Sequence, residues 1–419
     1  MGNKPVRRHL LDRSPRVDRL NALIAKGFER GWLFVPDLSP EAIWKAGAKG
    51  HDPADEHSGR LPEDVADFRL RLDRLCEALS SEAALNPLGQ VFAWGQLTRI
   101  VAQRHRLGAY WRKHPEVLET QLAPPIVVVG QMRAGTTRIH RLLAADPAHC
   151  ATRFCDSWNP APQSPDLRPM KSAAALAFAH WLNPWLETIH PFGASRADEE
   201  LGWLAAALDH CAAEAQWRIP SFTAFSENRD PLPVYREFAR ILRTDAAHCG
   251  NAGRPRVMKT PQFAEDLPSL FAVLPEARIV VARRSSEDVL ESAVSLVANQ
   301  MAMQTDAAEE AALRAEWQRK IALREERADA ALRTFSGRVA EVDFAALGED
   351  WQSAIADVYD ALGLTLDDAA RQAMAREMLK GKNGAHRRHR SQWRQFARAA
   401  RPTFGPAGGN GLGAQGNAR

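Results

Sequence analysis

Through the first 120 residues, apolar positions recur at spacings of three and four. DRLNALIAKGFERGW, PEDVADFRLRLDRLCEALSSEAALN and QVFAWGQLTRIVAQRHRLGAYWRKHPEVLETQL all follow this pattern, with acids and bases between the apolar positions. That period is the helical one and predicts a helical region over 1–122. The pair Pro124-Pro125 ends it. The period then changes. IVVVG (126–130) is a short β-branched run entering a glycine turn, and TTRIHRLLAADP leaves it as a helix stopped at Pro147. ARIVVARR (277–284) repeats the strand pattern before the helix SEDVLESAVSLVANQM, and RVAEVDFAAL (338–347) is a third strand candidate. Helical stretches lie between, around 172–186, 198–213 and 233–247. Strand–turn–helix units predict an α/β fold: a parallel sheet with flanking helices over 123–398, joined to the helical N-terminal region. The charged stretch 307–333 reads as an amphipathic helix whose charges form a solvated face with i,i+4 pairs. Residues 399–419 are Gly-rich and read as a disordered tail.

Composition narrows the class. Of 419 residues, 45 % are apolar and 25 % charged, as in ordinary globular proteins. A net charge of +4 does not imply nucleic-acid binding, but it leaves room for a local anion pocket. No apolar run is long enough for a membrane span, and no apolar h-region follows Arg7 and Arg8, so no signal peptide is expected. Cys76, Cys150, Cys155, Cys211 and Cys249 are odd in number and lack C-x-x-C spacing. Neither a metal site nor a disulfide framework is indicated, and a reducing, cytoplasmic location is expected. Oligomeric state is not readable.

The chemistry concentrates at GQMRAGTT. A strand that ends in glycine and opens a helix presents free backbone N–H groups and the positive end of the helix dipole, which together bind anions. Gly130 and Gly135 permit the turn, Ala134 lies between Arg133 and Gly135, and Thr136 and Thr137 supply hydroxyl donors. The ATP- and GTP-binding loop G-x-x-x-x-G-K-[ST] carries lysine after the second glycine. Here that position is Thr136, and the nearest cation is Arg133, at the apex of the loop. Metal-dependent phosphoryl transfer is therefore disfavoured.

The stretch Arg133-Ala134-Gly135-Thr136-Thr137, continued by IHRLLAADP (139–147), resembles the first motif of the sulfotransferases, and more closely that of a broad bacterial sulfotransferase family. The resemblance implies that the loop cradles the 5′-phosphosulfate of 3′-phosphoadenosine-5′-phosphosulfate (PAPS), with no metal. The family's second signature, an arginine followed eight residues on by a serine, is matched by Arg284 and Ser292 in VVARRSSEDVLESAVSL, which would bind the 3′-phosphate. Strand alternation would point the neighbouring Arg283 to the other face. The family's lysine segment matches at Lys259-Thr260, so Lys259 is a candidate to stabilise charge on the bridging oxygen; Pro261 and Phe263 follow where relatives often carry a histidine. In GKNGAHRRHRSQW (381–393), Lys382, Gly384, His386 and Arg387 match a basic cofactor-covering loop in character only.

Sulfuryl transfer needs a proton acceptor beside the nucleophile. Asp156 in RFCDSWNPAP, His190 in ETIHPFG and, behind them, Glu200 in the cluster Asp198-Glu199-Glu200 are the candidates. The expected activity is transfer of a sulfuryl group to a hydroxyl or amine of a small molecule, lipid or glycan, with the acceptor lying over 151–235. A kinase-like enzyme with an altered loop and a non-catalytic adenosine-bisphosphate binder remain as alternatives.

Overall fold

In the computed structural model, residues 7–186 and 192–380 are described. Four helices come first: α1 (Pro15–Glu29), α2 (Pro40–Gly47), α3 (Pro62–Ser81) and α4 (Pro87–Lys113). Each begins on a proline at its first turn, where the missing N–H has no intrahelical partner to lose. The chain then runs β1 (Ile126–Val129), α5 (Thr136–Leu143), β2 (Cys150–Ala151), α6 (Phe154–Trp158), α7 (Arg168–Leu182), α8 (Leu201–Ala206), α9 (His210–Glu214), α10 (Pro220–Glu227) and α11 (Leu232–Cys249). It continues with β3 (Arg256–Lys259), α12 (Phe263–Val273), β4 (Arg278–Arg283), α13 (Ser286–Gln304), α14 (Glu310–Thr334), β5 (Val339–Asp343), α15 (Phe344–Glu349), α16 (Trp351–Leu362) and α17 (Asp368–Lys380).

The sheet has five strands in the order β2-β3-β1-β4-β5, all parallel. β1 is central. Val128 pairs with Lys259 on one side and Val280 on the other, so the ends of β1, β3 and β4 meet at one edge, where ligands bind in open parallel sheets. Alternation sends Val127, Val129, Met258 and Ile279 to a core shared with Trp203, Phe238 and Phe263. Ile126, Val128, Val257 and Val280 go to the opposite core with Ile139, Leu142 and Val358. Burial on both faces explains why β1 reads as an unbroken apolar run.

Two expectations are corrected, and one strand was not foreseen. RVMK (256–259) is a strand, β3, although four residues with charged ends carry no period. The third strand stops at Asp343, whose Oδ1 accepts the N–H groups of Ala345 (2.7 Å) and Ala346 (3.2 Å) and starts α15. Finally, α14 is not simply a solvated face: Lys320 and Arg324 are buried. They hold Glu214, Glu227 and Glu265 in a cluster with His210. The stripe Leu313, Trp317, Lys320, Arg324, Ala328, Ala331 is the buried face, and its two cations are tolerated because they are multiply paired.

The N-terminal helices pack on the rest of the chain. Ile43, Phe68 and Leu97 share a core with Trp217 and Phe222, and a buried Arg60–Glu237 ion pair (2.7 Å) ties the segment before α3 to α11. The Gly-rich 399–419 stretch lies outside the described residues.

Candidate active site

The loop after β1 turns at Gly130 (φ 151°) and Gly135 (φ 89°). A Cβ on Gly130 would lie 2.8 Å from the Ala282 carbonyl oxygen, and one on Gly135 would lie 2.4 Å from Phe344, so both glycines are required by close approach. Arg133 itself sits at φ 71°, an uncommon conformation for a residue with a side chain. The loop is pinned from outside by Gln131, whose Nε2 donates to the Ile321 carbonyl on α14 (2.9 Å). Ala134 and Thr136 are buried beneath it.

The second motif meets this loop. Arg133 Nε donates to Ser292 Oγ on α13 (2.8 Å), and Arg284 Nη1, just past β4, donates to the Arg133 carbonyl (2.7 Å). The Arg284 guanidinium stacks 4.5 Å over Phe344. Its Nε is buried without a hydrogen-bond partner among the described residues, a free donor for an anion. Burial, and then the adjacent Arg284 guanidinium, bring Arg133 down to about 10. Two neighbouring guanidiniums in one desolvated pocket are suited to an anionic ligand. Arg283 points elsewhere and pairs with Asp329 and Glu341, both at 3.0 Å.

Lys259 completes the group. At the end of β3, its Nζ donates to Thr137 Oγ1 (3.2 Å) and pairs with Glu199, and its backbone N–H donates to Glu200 Oε2 (2.8 Å). Glu200 is fully buried, and burial pushes its carboxyl up to about 8. It holds the backbone of Lys259 and does not line the cavity.

That cavity, about 340 Å³, is lined by Arg133, Thr137, Lys259, Asp198 and Glu199 and by Met132, Phe154, Trp158, Leu176, Phe192 and Leu296. Gln96 and Gln216, bonded to each other at 3.0 Å, and Gln300 provide polar points on an otherwise largely apolar wall. Its aromatic lining falls in the expected 151–235 stretch, although Trp203 belongs to the core and Trp181 to the surface.

The candidate bases divide. Asp156 is buried and held by Arg153 (2.6 and 2.9 Å) and Arg168 (3.4 Å); it is not among the cavity-lining residues. His190, Lys382, Gly384, His386 and Arg387 lie outside the described residues. Glu199, which the sequence left inside an acidic cluster, lines the cavity together with Asp198 and is the carboxylate paired with Lys259. No local feature of the sequence singles it out, because its partner Lys259 lies sixty residues away. Among the described residues, His210, Glu227 and Glu265 stand close enough to share a cation, and the Lys320 ammonium is paired with them.

The model of the sulfotransferase family matches residues 124–368. The chain belongs to that family. It is similar to the crystal structure of sulfotransferase STF1 from Mycobacterium tuberculosis H37Rv, with 26% identity and a TM-score of 0.72 over 85% of this chain and 98% of that one. It also shares the fold of sulfotransferase STF9 from Mycobacterium avium, with 17% identity and a TM-score of 0.73 over 88% and 97% of the two chains. None of the curated proteins compared with the sequence matches it. The α/β sulfotransferase fold with its helical N-terminal region is thus the architecture of this member of the family.

Proposed function

We propose that this sulfotransferase uses PAPS as its sulfuryl donor and a largely apolar molecule with a hydroxyl or amine as its acceptor. The reading rests on one observation: Arg133, Ser292 and Arg284 are bonded together across two motifs, at the loop between β1 and α5. That grouping fits a nucleotide with one anion at the loop and another, on its 3′ side, at Arg284 and Ser292. The donor set is cationic and hydroxylic, which fits phosphate and sulfate oxygens.

In this proposal Glu199 accepts the acceptor's proton as the acceptor oxygen or nitrogen bonds to sulfur and the bond from sulfur to the bridging phosphate oxygen breaks. Lys259 and Arg133 stabilise the charge that develops on the phosphate as it leaves, and Thr137 steadies the lysine. The products are the sulfated acceptor and adenosine 3′,5′-bisphosphate. Glu199 takes the role for which Asp156 and His190 were candidates, because it combines cavity access with contact to Lys259.

The test is a titration of purified protein with adenosine 3′,5′-bisphosphate and with ATP·Mg, repeated on Arg284→Ala. Tight bisphosphate binding that the substitution weakens supports the reading; preference for ATP·Mg sinks it. Turnover with a panel of phenols, sterols, sugars and lipids then separates a catalyst from a binder.

A further inference from the structure

Helix α7 is fifteen residues long, and only Arg168, Ser172 and Leu182 are buried. Its sequence, RPMKSAAALAFAHWL, is apolar almost all round. Met170, Phe178 and Trp181 are 63%, 47% and 47% exposed, together with four alanines, and Lys171 supplies the charge. A surface helix of a globular protein normally turns charged residues outward. On its other side, Leu176 and Ala179 line the acceptor cavity. The helix is therefore a thin wall, apolar inside and outside, between that cavity and the exterior.

α1 extends the surface. Arg16 lies over the Trp181 ring (5.4 Å), and its Nη1 donates to the Trp181 carbonyl (2.5 Å). From there Arg16, Arg19, Leu23, Lys26 and Arg30 follow at spacings of three and four, forming one exposed stripe about 21 Å long. The stripe ends where Arg30 stacks over Trp32 (4.7 Å), and Trp32, Leu33, Phe34 and Val35 are all exposed in succession. The acids Asp18 and Glu29 fall on the helix's other exposed flank. The result is a row of cations with aromatic residues at both ends and an apolar helix beside one of them.

We propose that this face docks on an anionic lipid bilayer and that the acceptor is a membrane-dissolved amphiphile that reaches Glu199 beneath α7. Interfacial surfaces combine aromatic and aliphatic residues, which enter the headgroup boundary, with basic residues that meet anionic lipid. A second copy is a poorer fit, because a twofold contact centred on the stripe would set arginine against arginine. No described helix is long and apolar enough to cross a membrane, so the contact is one of surface docking. The acceptor part of the proposal rests on the sulfuryl-transfer reading; the docking part does not.

The full chain is sedimented with vesicles of phosphatidylcholine alone and of phosphatidylcholine mixed with phosphatidylglycerol. Binding to the mixed vesicles, weakened by added salt, is expected. So is a drop of about tenfold or more in partitioning for Arg16→Glu/Arg19→Glu/Lys26→Glu and for Phe178→Ser/Trp181→Ser, with bisphosphate affinity retained as the check on folding. Absence of vesicle binding, binding indifferent to both sets of substitutions, or a dimer in sedimentation velocity that they dissociate overturns the docking proposal. Vesicle binding by a protein that ignores adenosine 3′,5′-bisphosphate leaves the docking face standing and removes the donor assignment instead.

Discussion

Arg284 Nη1 donates to the backbone carbonyl of Arg133 at 2.7 Å, so the arginine of the second motif supports the loop of the first. Arg284→Ala removes a charged donor and this brace together. Hydrogen bonds to charged groups are worth roughly 1.5–3 kcal/mol. Affinity for adenosine 3′,5′-bisphosphate is therefore expected to fall about 10- to 100-fold by calorimetry. Arg283→Ala, which removes pairs with Asp329 and Glu341 only, should leave affinity near that of the wild type.

Glu199 and Asp156 should respond differently to loss of charge. Glu199→Gln is expected to lower kcat by about 10²–10⁴, with bisphosphate still bound. Asp156→Asn breaks pairs with Arg153 and Arg168. It should lower the melting temperature while kcat per folded molecule stays within a few-fold. Steady-state kinetics beside thermal unfolding separates the two, and an inactive but stable Asp156→Asn would reverse the assignment.

Lys320→Met leaves Glu214, Glu227 and Glu265 short of a cation in a buried site. Breaking a buried pair from one side costs about 3–5 kcal/mol. Urea denaturation should show a loss of this order with little change in slope.

The buried carboxyl of Glu200, raised to about 8, has a pH signature. Unfolded, it ionises near its ordinary value of 4.5, whereas folded it keeps its proton up to about 8. The folded state therefore binds the extra proton, and this group's contribution to stability falls as pH rises between those values, by about 1.4 kcal/mol per unit at the steepest. Glu200→Gln should flatten that decline, so the variant gains on the wild type from pH 5 to pH 8 in thermal melts. A constant difference between the two would show that Glu200 does not titrate in this window.

The loop could be read from the sequence because glycines and a β-branched run are local signals and a central parallel strand must be apolar on both faces; its second partner, Arg284 with Ser292, came from the resemblance to the sulfotransferase family. β3 could not be read: its register comes from pairing with Val128, a contact more than a hundred residues away. Glu199 was hidden for the same reason, since nothing near it in sequence says which of three adjacent acids meets Lys259. In α14, Lys320 and Arg324 occupy the stripe that Leu313 and Trp317 begin, and charge alone made that stripe look like surface. Reading the stripe before the charges would have exposed them.

The bond from Gln131 ends on a main-chain oxygen, that of Ile321, and not on a side chain. Substitution along α14 can thus proceed without loosening the loop, because every residue type offers the same acceptor there. Gaining or losing a single residue upstream in that helix is another matter. It would rotate the acceptor by about 100° and release the loop after β1 from a distance, so for holding that loop the length of the helix matters more than the residue at its acceptor.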